Sequence, residues 1–158
     1  MLSALVALSI VGFADPASAL LSINVPGSTN LGSAGVAAST LSAQLGTVTA
    51  STTIGVALTA TVSTTVFTTG GGSANETIAK SQISYWSGSS TATTGVLVTN
   101  TPGQANAGAA VALTVAATAY TASGVVAFSV SWNPTIVVHI PAAAVAGTYS
   151  GTITHSVA

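Results

Sequence analysis

Charged side chains are almost absent from this chain. Its 158 residues include a single Lys or Arg and two Asp or Glu, whereas about a quarter of the residues of an ordinary domain are charged. Such a sequence cannot build a basic patch, so we expect no nucleic acid partner and no electrostatic attachment to anionic membranes. Ser and Thr, 46 residues together, supply the polar component instead.

Residues 1–19 have the pattern of an export signal. An apolar run covers residues 2–14, which is too short to span a bilayer, and Ala-Ser-Ala at 17–19 follows as a small-x-small cleavage pattern. No Lys or Arg precedes the run, and a first strand of the domain is the alternative. We therefore expect a cleaved signal peptide, no transmembrane anchor, and a secreted single domain over residues 20–158.

The scarcity of charged side chains and the absence of cysteine argue against catalysis. Cysteine is absent, which removes disulfides, thiol nucleophiles and cysteine-ligated zinc. Glycoside hydrolysis in its usual form needs two carboxylates, and the acid of a Ser-His-acid triad could only be Glu76 once Asp15 leaves with the signal. We expect no catalytic residue, no metal site and no cofactor, and we interpret the protein as non-catalytic.

The titratable residues have plain structural interpretations. Two imidazoles alone make a weak metal site; we expect His139 to be solvated and His155 to be a strand-end histidine with a satisfied hydrogen bond. Glu76 and Lys80 have the spacing of a helical ion pair, but three glycines precede them, so we predict a solvated loop or a single turn. Asn75 also begins an Asn-x-Thr glycosylation sequon.

Nearly every periodic segment alternates with period two, and β-branched residues dominate, which is typical of strands. The predicted strands cover residues 22–25, 44–50 with an irregularity at Gly46, 56–62, 65–69, 83–86, 95–99, 110–116, 126–132, 135–140 and 149–157. Short strands with frequent turns predict an all-β fold, a single antiparallel β-sandwich of immunoglobulin-like character. Residues expected in or bordering the core are Val56, Leu58, Val62, Val130, Val138, Tyr149 and Ile153.

The tryptophans are the main candidates for a binding site. Trp86 and Trp132 could stack on sugars, and the alternative is that they close the ends of the core. Tyr85 and Trp86 must point to opposite faces of a regular strand. Because Tyr85 shares parity with Ile83, we predict that its ring is buried and that Trp86 is left toward a glycan or a partner surface. The predicted binding residues are Trp86 and Tyr85.

Parts of the chain resemble the WxL domain, a family of cell-surface domains of Gram-positive bacteria. The similar segments are residues 45–72 with 84–88, and the ending at 140–157. The resemblance implies a β-rich fold, non-covalent attachment to peptidoglycan, and a location at the cell wall. The family's two Trp-x-Leu motifs are replaced here by Val-Ala-Leu at 56–58 and His-Ser-Val at 155–157.

Two functions are therefore open. The leading hypothesis is an exported, non-catalytic cell-surface or cell-wall-associated protein, whose partners are peptidoglycan, another cell-wall glycan or surface proteins. The alternative is a self-assembling structural subunit that pairs through its edge strands, since the ending is also similar to that of pilin-like and spore-coat domains. A net charge near zero favours such self-association.

Overall fold

The computed structural model describes residues 2–7, 20–34 and 39–158, and of residues 2–7 it describes only the strand that they form. The strands are β1 Leu2–Ala7, β2 Leu21–Asn24, β3 Ser28–Ala34, β4 Ser39–Gln44, β5 Val48–Thr52, β6 Leu58–Thr64, β7 Phe67–Thr68, β8 Thr77–Ile78, β9 Ile83–Trp86, β10 Ser90–Thr94, β11 Thr99–Pro102, β12 Val111–Ala112, β13 Ala117–Ser123, β14 Phe128–Trp132, β15 Thr135–Ile140, β16 Thr148–Tyr149 and β17 Ile153–Val157. Three single turns of 3₁₀ helix cover Ala74–Glu76, Lys80–Gln82 and Ala107–Ala109.

One layer of the fold is a bent sheet made of two four-stranded sheets. Their strand orders are β10-β14-β5-β2 and β12-β9-β15-β4. The pair β4–β15 continues into the pair β5–β14, with Gln44 opposite Thr135 before the bend and Val48 opposite Trp132 after it. At the bend the Leu45 N–H donates to the carbonyl of Pro134 over 2.9 Å. We call these eight strands the bent layer.

The second layer has the strand order β11-β13-β6-β17, and all its pairs are antiparallel. Together the two layers confirm the predicted all-β, antiparallel sandwich, while its immunoglobulin-like character stays a prediction. The remaining strands form a small β7–β8 ribbon and a sheet in which β1 lies between β3 and β16. Of the predicted signal peptide, residues 1 and 8–19 lie outside the described residues, and cleavage after position 19 stays a prediction.

A single hydrophobic core lies between the layers. Six of the seven predicted core residues are at most 1% exposed, namely Leu58, Val62, Val130, Val138, Tyr149 and Ile153. The prediction for Val56 is wrong, because this side chain is 36% exposed. Gly55 has a φ of 69°, and a Cβ at this position would lie 2.7 Å from the Val125 carbonyl carbon. This close turn delays the strand to Leu58 and leaves Val56 in the turn.

Several strand boundaries also differ from the prediction. Residues 95–98 form a turn, and only Thr99 of the predicted strand belongs to β11. The strand predicted at 110–116 is reduced to the two residues of β12, and the chain turns before β13 begins at Ala117. The irregularity expected at Gly46 is confirmed, since this residue has a φ of 95° at the bend between β4 and β5.

Candidate binding surface

Two adjacent aromatic residues on β9 face opposite sides of the bent layer. Tyr85 is fully buried in the core, and Trp86 points outward and is half-buried. Alternation of side chains along a strand requires this arrangement once one of the two rings enters the core. The predicted division between a buried Tyr85 and an outward Trp86 is therefore confirmed.

Hydrogen bonds and ring contacts hold Tyr85 in place. Its hydroxyl lies 3.1 Å from Nε2 of His155, and Nε1 of Trp132 donates to it over 3.4 Å. Tyr120 stacks on Trp132 with ring centroids 4.8 Å apart. We call Tyr85, Tyr120, Trp132 and His155 the aromatic cluster. It joins the two layers, because His155 and Tyr120 come from the second layer and the other two rings come from the bent layer.

One ring nitrogen of His155 has a hydrogen-bond partner and the other has none. An indole N–H can only donate, so the Tyr85 hydroxyl accepts from Trp132. The bond between this hydroxyl and His155 Nε2 uses either the hydroxyl proton or a proton on Nε2, and in both cases Nδ1 has no hydrogen-bond partner among the described residues. The expectation of a satisfied His155 thus holds for Nε2 and fails for Nδ1.

The cluster is uncharged. Burial lowers the pKa of His155 to about 4 and raises the pKa of Tyr85, so both side chains are neutral near pH 7. With Tyr85 and Trp132 at 0% exposed and His155 at 4%, no external ligand can reach these rings. Tyr85 is therefore wrong as a contact residue, since its ring anchors the core. For Trp132 the alternative to sugar stacking is confirmed, because its ring is buried in the core.

The outward side of the sheet β12-β9-β15-β4 is the surface that carries Trp86. Strand register places Trp86 beside Thr135, which in turn lies beside Gln44. A second row has Ser84, Val137 and Ser42, and a third has His139 and Thr40. We call these eight residues the Trp86 face. His139 is exposed, as predicted, and the face contains no Asp, Glu, Lys or Arg.

The backbone that follows Trp86 is fixed by a buried clamp. Ser87 Oγ donates to the carbonyl of Gln104 over 3.0 Å and accepts from the Gln104 N–H over 3.2 Å. The N–H of Gly88, at a φ of 72°, donates to the same carbonyl over 2.9 Å. With Tyr85 anchored on one side and Ser87 on the other, the position of the Trp86 backbone is set before any ligand binds.

The two charged side chains of the described residues lie on other elements. The Glu76 carboxylate accepts from the Ser73 N–H over 2.9 Å, and this hydrogen bond lowers the pKa of Glu76. Glu76 thereby caps its own 3₁₀ turn, and Lys80 is exposed at the start of the next. The prediction of a loop or one turn for this segment is therefore incomplete, because Glu76 and Lys80 lie on two separate 3₁₀ turns with the short strand β8 between them.

The outward side of the second layer carries hydroxyl groups alone. Its outward residues are Thr59, Thr61, Ser63, Thr99, Thr101, Thr118, Thr121, Ser123, Thr154 and Ser156. Some of these hydroxyls bond each other across strands, as between Thr99 Oγ1 and Ser123 Oγ at 2.9 Å. A shallow groove crosses this surface between Thr59, Thr101 and Thr121.

Sequence reasoning missed two residues that matter for the site. Gln44 contributes the one side-chain amide of the Trp86 face, and only the pairing of β4 with β15 brings it there. Tyr120 lies on β13, whose residues were not predicted as a strand. The signal available for Tyr120 was its aromatic character alone, because small residues surround it in the sequence.

The chain matches no protein-family model, no curated protein and no solved structure. The resemblance to the WxL domain therefore rests on the sequence segments quoted above and stays a hypothesis. Residues 20–34 and 39–158 contain no cluster of three side chains suited to holding a metal ion. Within the described part of the chain, no helix has the length and apolar character needed to cross a membrane.

Proposed function

We propose that the protein is an exported, non-catalytic cell-surface protein that binds a neutral cell-wall glycan through the Trp86 face. The observation that carries the proposal is an outward, half-buried indole on a surface of hydroxyl and amide groups. An indole presents an apolar ring to the C–H face of a sugar and an N–H to its hydroxyls. The export pattern at residues 1–19 and the WxL-like segments favour the cell wall as the location.

The composition of the face selects the type of glycan. Anionic polymers need cationic partners, and the face offers none at neutral pH because Lys80 lies on a separate turn. Gln44, Ser42 and Ser84 can instead donate to and accept from sugar hydroxyls. Binding should therefore change little between low and high ionic strength, since screening acts on charge–charge attraction.

Co-sedimentation of the full chain with purified, insoluble peptidoglycan tests this function. We expect Trp86→Ala to weaken sedimentation while changing the free energy of unfolding by no more than about 1 kcal/mol, as at an exposed site. Trp86→Phe should retain part of the binding, and Thr121→Ala, on the hydroxyl surface of the opposite layer, serves as the matched control.

Two results would contradict the proposal. Equal sedimentation of Trp86→Ala and wild type removes the indole from the interaction. A loss of about 3 kcal/mol or more in Trp86→Ala marks the ring as part of the core, and the face then has no aromatic contact to offer.

Self-assembly through edge strands is the second candidate function. In the part of the chain that the structure describes, the edge strands of the three four-stranded sheets are β2, β4, β10, β11, β12 and β17. Unpaired N–H and C=O groups of an edge strand can accept a strand from another chain. Electron microscopy of the purified protein together with the sedimentation assay separates the two functions. Extended filaments support assembly, and dispersed particles that pellet with peptidoglycan support glycan binding.

A further inference from the structure

Three neighbouring residues of the Trp86 face combine two polar side chains with an apolar one. Gln44 and Ser42 lie on the outward side of the edge strand β4, and both side chains are exposed. Register places Val137 of β15 directly opposite Ser42, and its side chain is half-buried. We call Gln44, Ser42 and Val137 the amide corner of the face.

The polar side chains of the amide corner form no hydrogen bond within the described part of the chain. On the neighbouring sheet, in contrast, hydroxyls pair across strands, as Thr94 does with Ser129 at 2.8 Å. Register explains the difference, because Val137 lies between Ser42 and Ser84 and keeps them two strand spacings apart, about 9–10 Å. A ligand can therefore bond to the corner without replacing bonds that the fold already makes.

The indole of Trp86 lies beside the amide corner. Trp86 is opposite Thr135, so Val137 is its diagonal neighbour and Gln44 lies two strands away in the same row. Diagonal neighbours on one face of a sheet are roughly 7–8 Å apart. An N-acetylated hexosamine is extended enough to cover both places, because its acetamido group projects outward from a carbon of the sugar ring.

We infer that the Trp86 face recognises the acetamido group of an N-acetylated hexosamine whose ring stacks on Trp86. This inference rests on the glycan-binding function proposed above and names the class of sugar that the face selects. Nε2 of Gln44 donates to the acetyl carbonyl, the Ser42 hydroxyl accepts from the acetamido N–H, and Val137 contacts the methyl group. The corner thus matches the acceptor, the donor and the apolar part of a group that is itself uncharged.

A sugar without the acetamido group would use the indole and leave the corner unoccupied. A hydroxyl on the same carbon is too short to reach Gln44 and Ser42 together, and it has no methyl group to cover Val137. One net hydrogen bond changes an affinity by about two- to tenfold, and burial of one methyl group adds about fourfold. The corner should therefore favour the N-acetylated form by at least about tenfold.

Chitin and cellulose are a matched pair of insoluble probes for this inference. Both are linear chains with the same linkage, and each sugar carries an acetamido group in chitin where it carries a hydroxyl in cellulose. In co-sedimentation of the full chain over a concentration series, we expect the apparent Kd for chitin to be at least about tenfold lower than for cellulose.

Two variants test the corner itself. Gln44→Ala should raise the Kd for chitin about two- to tenfold, and Val137→Thr should raise it about fourfold, while neither changes the Kd for cellulose. Asn24→Ala is the matched control, because it removes an exposed amide at the end of β2, on the neighbouring sheet, and it should change neither value. Trp86→Ala should weaken binding to both polysaccharides.

The outcomes separate this inference from the function on which it rests. If Trp86→Ala weakens sedimentation with peptidoglycan but wild type binds chitin and cellulose equally, glycan binding stands and the acetamido assignment is overturned. A chitin preference that survives in both Gln44→Ala and Val137→Thr also overturns it, and so does an equal loss of both polysaccharides in Gln44→Ala, which would assign Gln44 to sugar hydroxyls. If wild type sediments with none of the three polymers, the glycan-binding function fails and the inference fails with it.

Discussion

Acidification should weaken the fold through one buried side chain, the imidazole of His155. In the native state burial lowers its pKa from 6.5 to about 4. In the unfolded chain the imidazole is in water and takes up a proton near its ordinary pKa of about 6.5. Between these two values the unfolded state binds a proton that the native state does not, so protonation favours unfolding.

The two pKa values set both the sign and the size of the effect. Because the native pKa is depressed, the stability is complete above about pH 6.5 and falls as the pH drops toward 4. Each pH unit inside this window removes about 1.4 kcal/mol, and the whole window removes about 3 kcal/mol. The ring neighbours of the imidazole, Tyr85 and Trp132, are neutral over this range and cannot compensate the charge. A domain with a total stability of about 5–15 kcal/mol would lose a large share of it.

Urea unfolding followed by tryptophan fluorescence, at half-unit steps from pH 7 to pH 5, measures the slope. His155→Gln should flatten the profile whatever its stability at pH 7. His139→Gln, at an exposed histidine outside the aromatic cluster, is the matched control. The window stops at pH 5 because Glu76, whose pKa is also lowered, contributes below its ordinary value. A flat wild-type profile, or an equal slope in His155→Gln, would refute the reasoning.

Three substitutions test the packing of the core and of the chain around it. Trp132→Ala should cost about 3–5 kcal/mol in urea unfolding, as for any emptied aromatic site, and a cost below about 1 kcal/mol would contradict its place in the core. Gly103→Ala should lower the free energy of unfolding by at least about 3 kcal/mol, because a Cβ there would overlap the Thr118 carbonyl oxygen. Gly27→Ala is the control and should lower it far less, because the space around Gly27 is open. Equal melting temperatures of the two variants would contradict this. Tyr149→Phe should cost about 1 kcal/mol, since its hydroxyl lies 3.0 Å from two backbone carbonyls, and unchanged urea unfolding would show that neither bond matters.

The alternation of inward and outward side chains along a strand made much of the fold predictable from the sequence. The strands at 83–86 and 135–140 have the predicted bounds, because β-branched and aromatic residues dominate both segments. The same parity placed Tyr85 inward and Trp86 outward. A period-two pattern contains this information locally, since one buried side chain fixes the side of every other residue in a regular strand.

The wrong predictions concern features of the fold that the alternation of side chains does not predict. Val56 continues the pattern of β6, yet the close approach of Gly55 to Val125 turns the chain away before Leu58. Strand β13 has small residues around Tyr120 and gives little strand signal, but it pairs with β6 and β11 on both sides. Residues 95–98 and 126–127 were predicted in strands because of their valines and leucine, but they lie in loops, where the Val125 N–H donates to the Val96 carbonyl.

The pairing of the surface hydroxyls indicates where binding free energy is available. On the bent layer Ser22 bonds Ser51 at 2.7 Å and Thr49 bonds Ser131 at 2.8 Å. Paired hydroxyls of this kind gain little from a polar ligand, because the ligand replaces bonds that already exist. An apolar surface gains from being covered in proportion to the area removed from water. Within the Trp86 face, the half-buried indole is the largest side chain to which this area argument applies.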